Sequence, residues 1–272
     1  MRLALSSYTY TWAIGVPGQL PERLMSAVDL LERAATLGVH VVQVADNLPL
    51  DLLSAVDLDV FEATADTLGI AIEVGTRGIA PEHLRRYLAL AQRFHSPILR
   101  VVIDTASHHP MPDEVVAILA TLEGEFRRAG VRLAIENHDR FTAPVFVDIV
   151  RRLGDWTGIC LDTVNSFGAL EGPRVVVETL GPLTINLHIK DFAIFRASHM
   201  MGFSIEGRPA GQGRLDVPWL IEALQAHGCD ADGTMGAVLE LWTPPESALR
   251  DTIAKEQRWA EESVAYLRAV IK

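Results

Sequence analysis

The stretch LAIENHDR, residues 133–140, passes without a break from three apolar residues into five polar ones. Side chains of a strand alternate between its two faces. Leu133 and Ile135 would therefore lie on one face, and Ala134 and Glu136 on the other. Such a strand either runs out into solvent or leads into a functional site, and the rest of the chain decides between the two.

Three later runs repeat the pattern: GICLD (158–162), INLHIK (185–190) and AVLEL (237–241). In each run the bulky aliphatic side chains share one face and an ionisable side chain takes the other. The outward face would hold Ile159, Leu161, Ile185, Leu187, Ile189, Leu239 and Leu241, and the inward face Asp162, His188, Lys190 and Glu240. Four strand ends with the same parity indicate one shared site.

Short β-rich runs alternate with longer amphipathic runs along the whole chain. The strands are predicted near 2–6, 39–45, 70–74, 98–103, 131–136, 158–162, 185–190 and 237–241. The helices are predicted near 22–37, 51–68, 81–94, 112–129, 143–153, 171–180, 217–227 and 247–270. Eight strand–helix units predict an α/β fold, a single-domain (β/α)8 TIM barrel over residues 1–272. A doubly wound sheet fits less well, because SSYTYTWAIGVPG after the first strand is aromatic and not a phosphate-binding turn.

One connection is unusually long. From about residue 192 to 217 the chain shows no convincing strand or helix, although Met200, Met201 and Phe203 supply apolar side chains. Long loops in compact domains are commonly lids or binding loops. We therefore expect this segment to pack on a substrate or on another subunit, which would suit a homodimer or homotetramer.

The bulk composition narrows the classes of partner. The net charge of -11 and the pI of about 5.3 disfavour a nucleic-acid partner. Only Cys160 and Cys229 occur, so no disulfide framework is expected. No signal-peptide core or membrane-length apolar run is visible, so we expect a cytoplasmic protein that does not interact with membranes.

Glu136, Asp162, His188 and Glu240 are the candidate metal ligands. Each alone would usually be a strand-end charge or a core histidine. Three carboxylates and an imidazole that converge would repel one another unless a cation joined them. We therefore predict one divalent metal ion, with Mn²⁺ or Mg²⁺ preferred and Co²⁺ or Zn²⁺ also compatible.

Such a site can process a small keto-sugar or related polyol. A metal ion that contacts the carbonyl and the adjacent hydroxyl acidifies the neighbouring C–H, and loss of that proton gives a metal-stabilised enediolate. Glu136 and Glu240 are the predicted catalytic base and acid. Reprotonation epimerises or isomerises, loss of a β-hydroxyl dehydrates, and loss of a carboxylate decarboxylates, so the site alone leaves the product open.

Other polar and aromatic residues near the strand ends are candidate substrate contacts. Aromatic side chains after the first strand can stack on a sugar, and cationic side chains can bind an anionic group. The predicted substrate-binding residues are Tyr10, Trp12, Arg100, His138, Asn165, Lys190 and Arg208.

The motifs AIEN, CLDTVN, LHIKD, GQGRLD and VLEL, in this order, resemble the sugar phosphate isomerase/epimerase superfamily of xylose isomerase-like TIM barrels. The resemblance covers essentially the whole chain and is strongest from residue 131 onward. It implies that Glu136, Asp162, His188 and Glu240 hold the metal and that the two glutamates act as acid and base. The ketose 3-epimerases have D-x-x-H where this chain has Asp162-Thr-Val-Asn165. The superfamily also includes dehydratases, decarboxylases and a DNA-repair endonuclease.

Four functions follow from these observations. The leading hypothesis is a metal-dependent isomerase or epimerase of a keto-sugar. The second is a lyase that dehydrates or decarboxylates an oxidised sugar or keto-sugar acid, which Asn165 and the candidate arginines favour. The third hypothesis, a three-zinc repair endonuclease, would need more histidines at strand ends. The fourth is a non-catalytic metal-binding protein.

Overall fold

A computed structural model describes residues 1–271 of the chain. Its strands are β1 (Arg2–Ser6), β2 (Val41–Val44), β3 (Ala71–Arg77), β4 (Ile98–Val102), β5 (Arg132–Glu136), β6 (Thr157–Asp162), β7 (Thr184–Ile189), β8 (Asp191–Arg196), β9 (Phe203–Arg208) and β10 (Gly236–Leu239). All but β8 and β9 pair in parallel and form a closed barrel in the order β1-β10-β7-β6-β5-β4-β3-β2. The predicted eight-stranded barrel is confirmed.

The helices surround this barrel. They are α1 (Thr11–Ile14), α2 (Ala27–Thr36), α3 (Ala55–Leu68), α4 (Pro81–Arg93), α5 (Pro112–Ala120), α6 (Glu123–Ala129), α7 (Ala143–Leu153), α8 (Pro173–Leu180), α9 (Val217–Ala226) and α10 (Leu249–Val270). Local chemistry sets several ends. Ser54 and Asp57 form a capping box at the start of α3, and Gly69 ends it with a left-handed φ of 63°. No helix within residues 1–271 is long and apolar enough to span a bilayer.

The single helix predicted over 112–129 is two helices, α5 and α6, separated by a turn at Thr121 and Leu122. Val115, Leu119, Leu122 and Phe126 are all fully buried. Their spacing of four, three and four residues continues a helical stripe through the turn. The sequence pattern therefore does not mark the break.

The prediction of a loop without regular structure over 192–217 is wrong for residues 192–196 and 203–208. Strands β8 and β9 form an antiparallel hairpin in which Ile194 pairs with Ile205. The signal is the apolar run FAIF followed by the alternating run FSI, and both runs are short enough to be mistaken for loop sequence. The hairpin follows β7 directly and exposes Met200, Met201 and Phe203 at and near its tip.

A β-bulge between β6 and β7 sets the orientation of the upper part of β7. Ile159 pairs with Thr184, but Cys160 pairs with Asn186, so Ile185 is an extra residue. Ile185 packs inside the barrel with Ala134 and Cys160, which corrects the prediction that it faces the helices. Asn186 also faces inward, through its hydrogen bonds to side chains of β2 and β3.

The remaining strand parity follows the prediction. The aliphatic side chains Leu133, Ile135, Ile159, Leu161, Leu187, Ile189, Leu239 and Leu241 all belong to the core between barrel and helices. Glu136, Asp162, His188 and Glu240 are at most 1% exposed and lie on the barrel side. Packing of the aliphatic face therefore directs the ionisable side chains to one place.

Candidate active site

Glu136, Asp162 and Glu240 surround the imidazole of His188 at the carboxyl ends of their strands. His188 Nδ1 lies 3.4 Å from Glu136 Oε2, 3.8 Å from Asp162 Oδ2 and 3.3 Å from Glu240 Oε1. Asp162 and His188 are direct cross-strand partners. The structure thus brings together all four predicted metal ligands.

Three of these side chains present polar atoms that have no hydrogen-bond partner. Among residues 1–271 there are five such buried atoms, and three of them are Asp162 Oδ2, His188 Nδ1 and Glu240 Oε2. Candidate ligand atoms of these three residues lie within 4.8 Å of one another, and those of Glu136, Cys160 and His188 form a second such group. The two oxygens lie at ion-pair distance from Lys190 Nζ, whereas His188 Nδ1 faces only carboxylate oxygens. Oxygen-rich donors with one imidazole nitrogen therefore fit a divalent cation.

Backbone and hydroxyl donors orient the carboxylates toward this point. Asp162 Oδ1 accepts hydrogen bonds from the backbone N–H groups of Val164 (2.9 Å) and Asn165 (2.8 Å), which leaves Oδ2 facing His188. Glu240 Oε1 accepts a hydrogen bond from Ser6 Oγ at 2.8 Å. These donors therefore fix the orientation of both carboxylates.

Lys190 provides positive charge beside the candidate ligands. Its Nζ lies 2.8 Å from both Asp162 Oδ2 and Glu240 Oε2, at ion-pair distance without hydrogen-bond alignment. Burial alone would lower the pKa of Lys190, but Asp162, Glu240 and Glu136 raise it, so the amine stays protonated. Burial would raise the pKa of Glu240, but His188, Lys190 and Arg100 lower it to about 2.

Arg100 is the second buried cation and is only 2% exposed. Its Nε donates to Glu136 Oε2, and its Nη1 donates to Asp46 Oδ1 at 2.9 Å. Burial would lower its pKa, but the charges of Glu136, Asp46 and Glu240 hold the pKa well above its usual range. Arg100 therefore links Glu136 at the end of β5 to Asp46 just after β2.

A cavity of about 480 Å³ opens above these residues, a volume suited to a small molecule. Five of the seven predicted substrate contacts line it: Trp12, Arg100, His138, Asn165 and Lys190. Asn165 Nδ2 donates to Glu136 Oε1 at 2.8 Å, and His138 Nδ1 lies 2.7 Å from Asp139 Oδ1. The Trp12 indole N–H donates to the Thr243 carbonyl at 2.8 Å, which fixes its ring at the wall.

Two predicted substrate contacts lie elsewhere. Tyr10 is 1% exposed and belongs to the apolar core, because the 3₁₀ turn Ser7–Tyr10 turns its side chain away from the cavity. Arg208 lies in β9, with its guanidinium 4.7 Å from the Phe195 ring centre and its Nη1 donating to the Gly207 carbonyl. Both predictions are corrected, since neither side chain lines the cavity.

Tyr8, Asp46 and Arg77 were not among the predicted site residues, although Tyr8 and Arg77 line the cavity. Asp46 Oδ2 accepts hydrogen bonds from Arg77 Nε (2.8 Å) and the Tyr8 hydroxyl (3.0 Å). Burial would raise the pKa of Asp46, but Arg100 and Arg77 lower it to about 2. The signal that identifies these residues is their position at or just after the ends of β1, β2 and β3.

The GQG motif serves Asp191, the last residue of LHIKD. Asp191 Oδ2 accepts the backbone N–H groups of Gly211 and Gly213, each at 2.9 Å, and Oδ1 accepts that of Leu215 at 3.0 Å. A Cβ on residue 213 would overlap Asp191 Oδ1. Glycine is therefore needed for this close approach, and the motif anchors the β8–β9 hairpin.

Comparison with known proteins adds to this geometry. Residues 31–270 match the family model described as xylose isomerase-like TIM barrel. The chain is 32% identical over 268 residues to the 3-oxo-isoapionate decarboxylase of Pectobacterium atrosepticum. The aligned region covers 98% of this chain and 95% of that protein.

Two solved structures share the fold. D-psicose 3-epimerase from Clostridium cellulolyticum H10, solved with D-tagatose, has a TM-score of 0.71 and 16% identity, with 100% of both chains covered. A xylose isomerase-like TIM barrel protein from Mycobacterium smegmatis, solved in complex with magnesium, has a TM-score of 0.68 and 16% identity, with 97% of both chains covered.

Proposed function

Because the chain belongs to the xylose isomerase-like TIM barrel family, we propose that it is a metal-dependent lyase that removes carbon dioxide from a small 3-oxo sugar acid. This is the second of the two reactions that the sequence left open. The similarity to a decarboxylase whose name specifies a 3-oxo acid supports it.

The bonding of Glu136 carries the proposal. Its Oε2 accepts from Arg100 Nε, and its Oε1 accepts from Asn165 Nδ2. Each carboxylate oxygen has two lone pairs, so each Glu136 oxygen keeps one, and metal binding would use one of these. Isomerisation begins when a base removes a carbon-bound proton, and at most one Glu136 lone pair would remain for that step. Decarboxylation of a 3-oxo acid needs no base to begin, because the electrons of the breaking C–C bond form the enolate.

The charge of the cavity wall fits an anionic substrate. Arg77, Arg100 and Lys190 all line the cavity, and the Arg77 side chain is 34% exposed. Guanidinium groups bind carboxylates with two parallel hydrogen bonds. We infer that Arg77, which is the more accessible of the two arginines, orients the substrate carboxylate, while Trp12 packs against its carbon chain.

Glu136, Asp162, His188 and Glu240 would hold the metal ion. When bound, a divalent cation supplies Lewis acidity that polarises the ketone oxygen of the substrate. The bond between the α-carbon and the carboxylate carbon then breaks, its electron pair passes to the α-carbon and the adjacent ketone, and CO₂ leaves. Lys190 Nζ donates a proton to the α-carbon and regains one from water.

The test is CO₂ release by the full-length chain loaded with Mn²⁺, with 3-oxo-isoapionate as the probe. We expect one CO₂ per product and, in D₂O, one deuterium at the former α-carbon. Glu240→Gln should abolish release, whereas Glu222→Gln, an exposed change on α9, should not. Absence of CO₂ from this probe and from other 3-oxo sugar acids would overturn the proposal.

A ketose isomerase or epimerase is the second candidate. Its supporting observation is that Glu136 and Glu240, the predicted base and acid, both line the cavity. A panel of keto-sugars in D₂O distinguishes the two. Deuterium exchange next to the carbonyl with a rearranged sugar and no CO₂ would favour this candidate.

The remaining predictions are also part of this proposal. We propose a single bound Mn²⁺ or Mg²⁺, a small carbohydrate substrate, a cytoplasmic location, and a homodimer or homotetramer. Metal analysis, subcellular fractionation and light scattering test the metal, the location and the oligomeric state respectively.

A further inference from the structure

We propose that Glu73, a carboxylate in the interior of the barrel, is a positioning residue that fixes which nitrogen of His188 carries a proton. It acts through Gln43 and makes no hydrogen bond to His188. This inference rests on the proposed role of His188 as a metal ligand, but its main test needs neither metal nor substrate.

Glu73 and Gln43 lie side by side on β3 and β2, and both are buried. Gln43 Nε2 donates to Glu73 Oε2 at 2.9 Å. The other end of the Gln43 amide, Oε1, lies 2.7 Å from His188 Nε2. A chain of two hydrogen bonds therefore connects Glu73 to the imidazole.

Asn186 closes the network. Its Nδ2 donates to Glu73 Oε2 at 3.0 Å, and its Oδ1 accepts from Gln43 Nε2 at 3.0 Å. The network has room because residue 236 is glycine: a Cβ there would lie 2.5 Å from Glu73 Oε1 and 2.8 Å from Asn186 Nδ2. Glu73 is thus surrounded by donors.

With no proton on Glu73 Oε2, these contacts permit only one arrangement of donors and acceptors. Glu73 Oε2 accepts two N–H bonds, so Gln43 must turn its NH₂ group toward Glu73. Both hydrogens of that group are then used, on Glu73 and on Asn186. The Gln43 oxygen is left for His188, and an oxygen can only accept. His188 Nε2 must therefore carry the hydrogen.

A proton on Nε2 determines the state of the other ring nitrogen of His188, Nδ1. With the proton held on Nε2, neutral His188 has its lone pair on Nδ1, which faces Glu136, Asp162 and Glu240. Hydrogen bonds to the distal nitrogen commonly orient a histidine ligand in this way. If Gln43 turned over, its NH₂ would favour a proton on Nδ1 and remove the lone pair that binds metal.

The experiment compares the wild-type chain with Glu73→Gln and the swap Glu73→Gln/Gln43→Glu. Glutamine at position 73 can donate, so it allows Gln43 to turn over. The swap places an acceptor-only carboxylate next to His188 Nε2 and an amide behind it. Glu256→Gln is the matched control, because Glu256 is also a buried acid but lies outside this network, on α10.

The first readout is the long-range ¹H–¹⁵N spectrum of the imidazoles in metal-free protein, with His188 assigned from His188→Asn. We expect Nε2 to be protonated across the neutral and alkaline range in the wild type, the swap and the control, and to lose its proton in a measurable fraction of Glu73→Gln molecules. The second readout is Mn²⁺ binding by electron paramagnetic resonance. We expect Glu73→Gln to weaken binding by about 10- to 100-fold and the swap to recover it.

A wild-type His188 whose Nε2 carries no proton would overturn the proposal, whatever the variants show. An unchanged spectrum and unchanged Mn²⁺ binding in a folded Glu73→Gln would also overturn it. If the wild-type chain releases no CO₂ but gives the expected spectrum, the proposed reaction is refuted and this inference stands.

Discussion

Replacing Glu256 by glutamine should remove much of the pH dependence of stability above about pH 4.5. Glu256 lies on α10, is 1% exposed, and accepts hydrogen bonds from the backbone N–H groups of Trp12 (3.0 Å) and Ala13 (3.1 Å). Burial raises its pKa from the ordinary 4.5 to about 8, and the two hydrogen bonds offset only part of this rise.

The sign follows from proton binding. Between pH 4.5 and 8 the folded state keeps the Glu256 proton that the unfolded state has lost, so the free energy of unfolding falls as the pH rises through this window. One pKa unit corresponds to about 1.4 kcal/mol, so the difference between 4.5 and 8 corresponds to a loss of about 5 kcal/mol. Glutamine does not ionise and removes this loss.

Urea unfolding of metal-free protein at about pH 5 and about pH 8.5 measures the effect. The wild type should lose up to about 5 kcal/mol more than Glu256→Gln between the two conditions. Glu261→Gln, an exposed substitution on the same helix, should behave as the wild type. Equal pH dependence in the wild type and Glu256→Gln would refute the reasoning.

Three further changes test the site and its support. Asp162→Asn should weaken Mn²⁺ binding by at least about 100-fold in calorimetry, because a ligand should matter more than the groups that only orient one. Lys190→Met should reduce CO₂ release by about 10²- to 10⁴-fold, because the proton donor is lost. Mn²⁺ should bind this variant at least as tightly as the wild type, because a cation that competes for Asp162 and Glu240 is removed. Weaker Mn²⁺ binding would argue against this role of Lys190. Gly213→Ala should lower the free energy of unfolding by about 1–3 kcal/mol, because its Cβ would overlap Asp191, and an unchanged value would contradict that placement.

The barrel and the convergence of the four candidate ligands could be predicted because both depend on local alternation. Leu133 and Ile135 must face the helices, and that requirement alone turns Glu136 inward. Helix α7 likewise has a proline in its first turn and is followed by Gly154, so its observed bounds, Ala143–Leu153, match the predicted 143–153.

The rest depends on contacts between distant segments or on turns that alternation does not describe. Tyr10 was misplaced because a 3₁₀ turn, and not a strand, sets its direction. The pairing of Gln43 with His188 joins residues 145 positions apart, and no spacing rule reveals it. The β8–β9 hairpin was missed because Phe195, Phe203 and Ile205 are exposed, so its apolar residues do not mark one buried face.

The extra residue in β7 separates the position of His188 from a strict count along the chain. Ile185 and Asn186 both face the barrel, and alternation resumes after them, with Leu187 toward the helices and His188 toward the other candidate ligands. Deleting Ile185 would therefore leave a regular strand in which Leu187 and His188 keep their faces and their partners on β6. Deleting Leu187 would instead turn His188 toward the helices, so the strand tolerates a change in residue number at the bulge but not two positions above it.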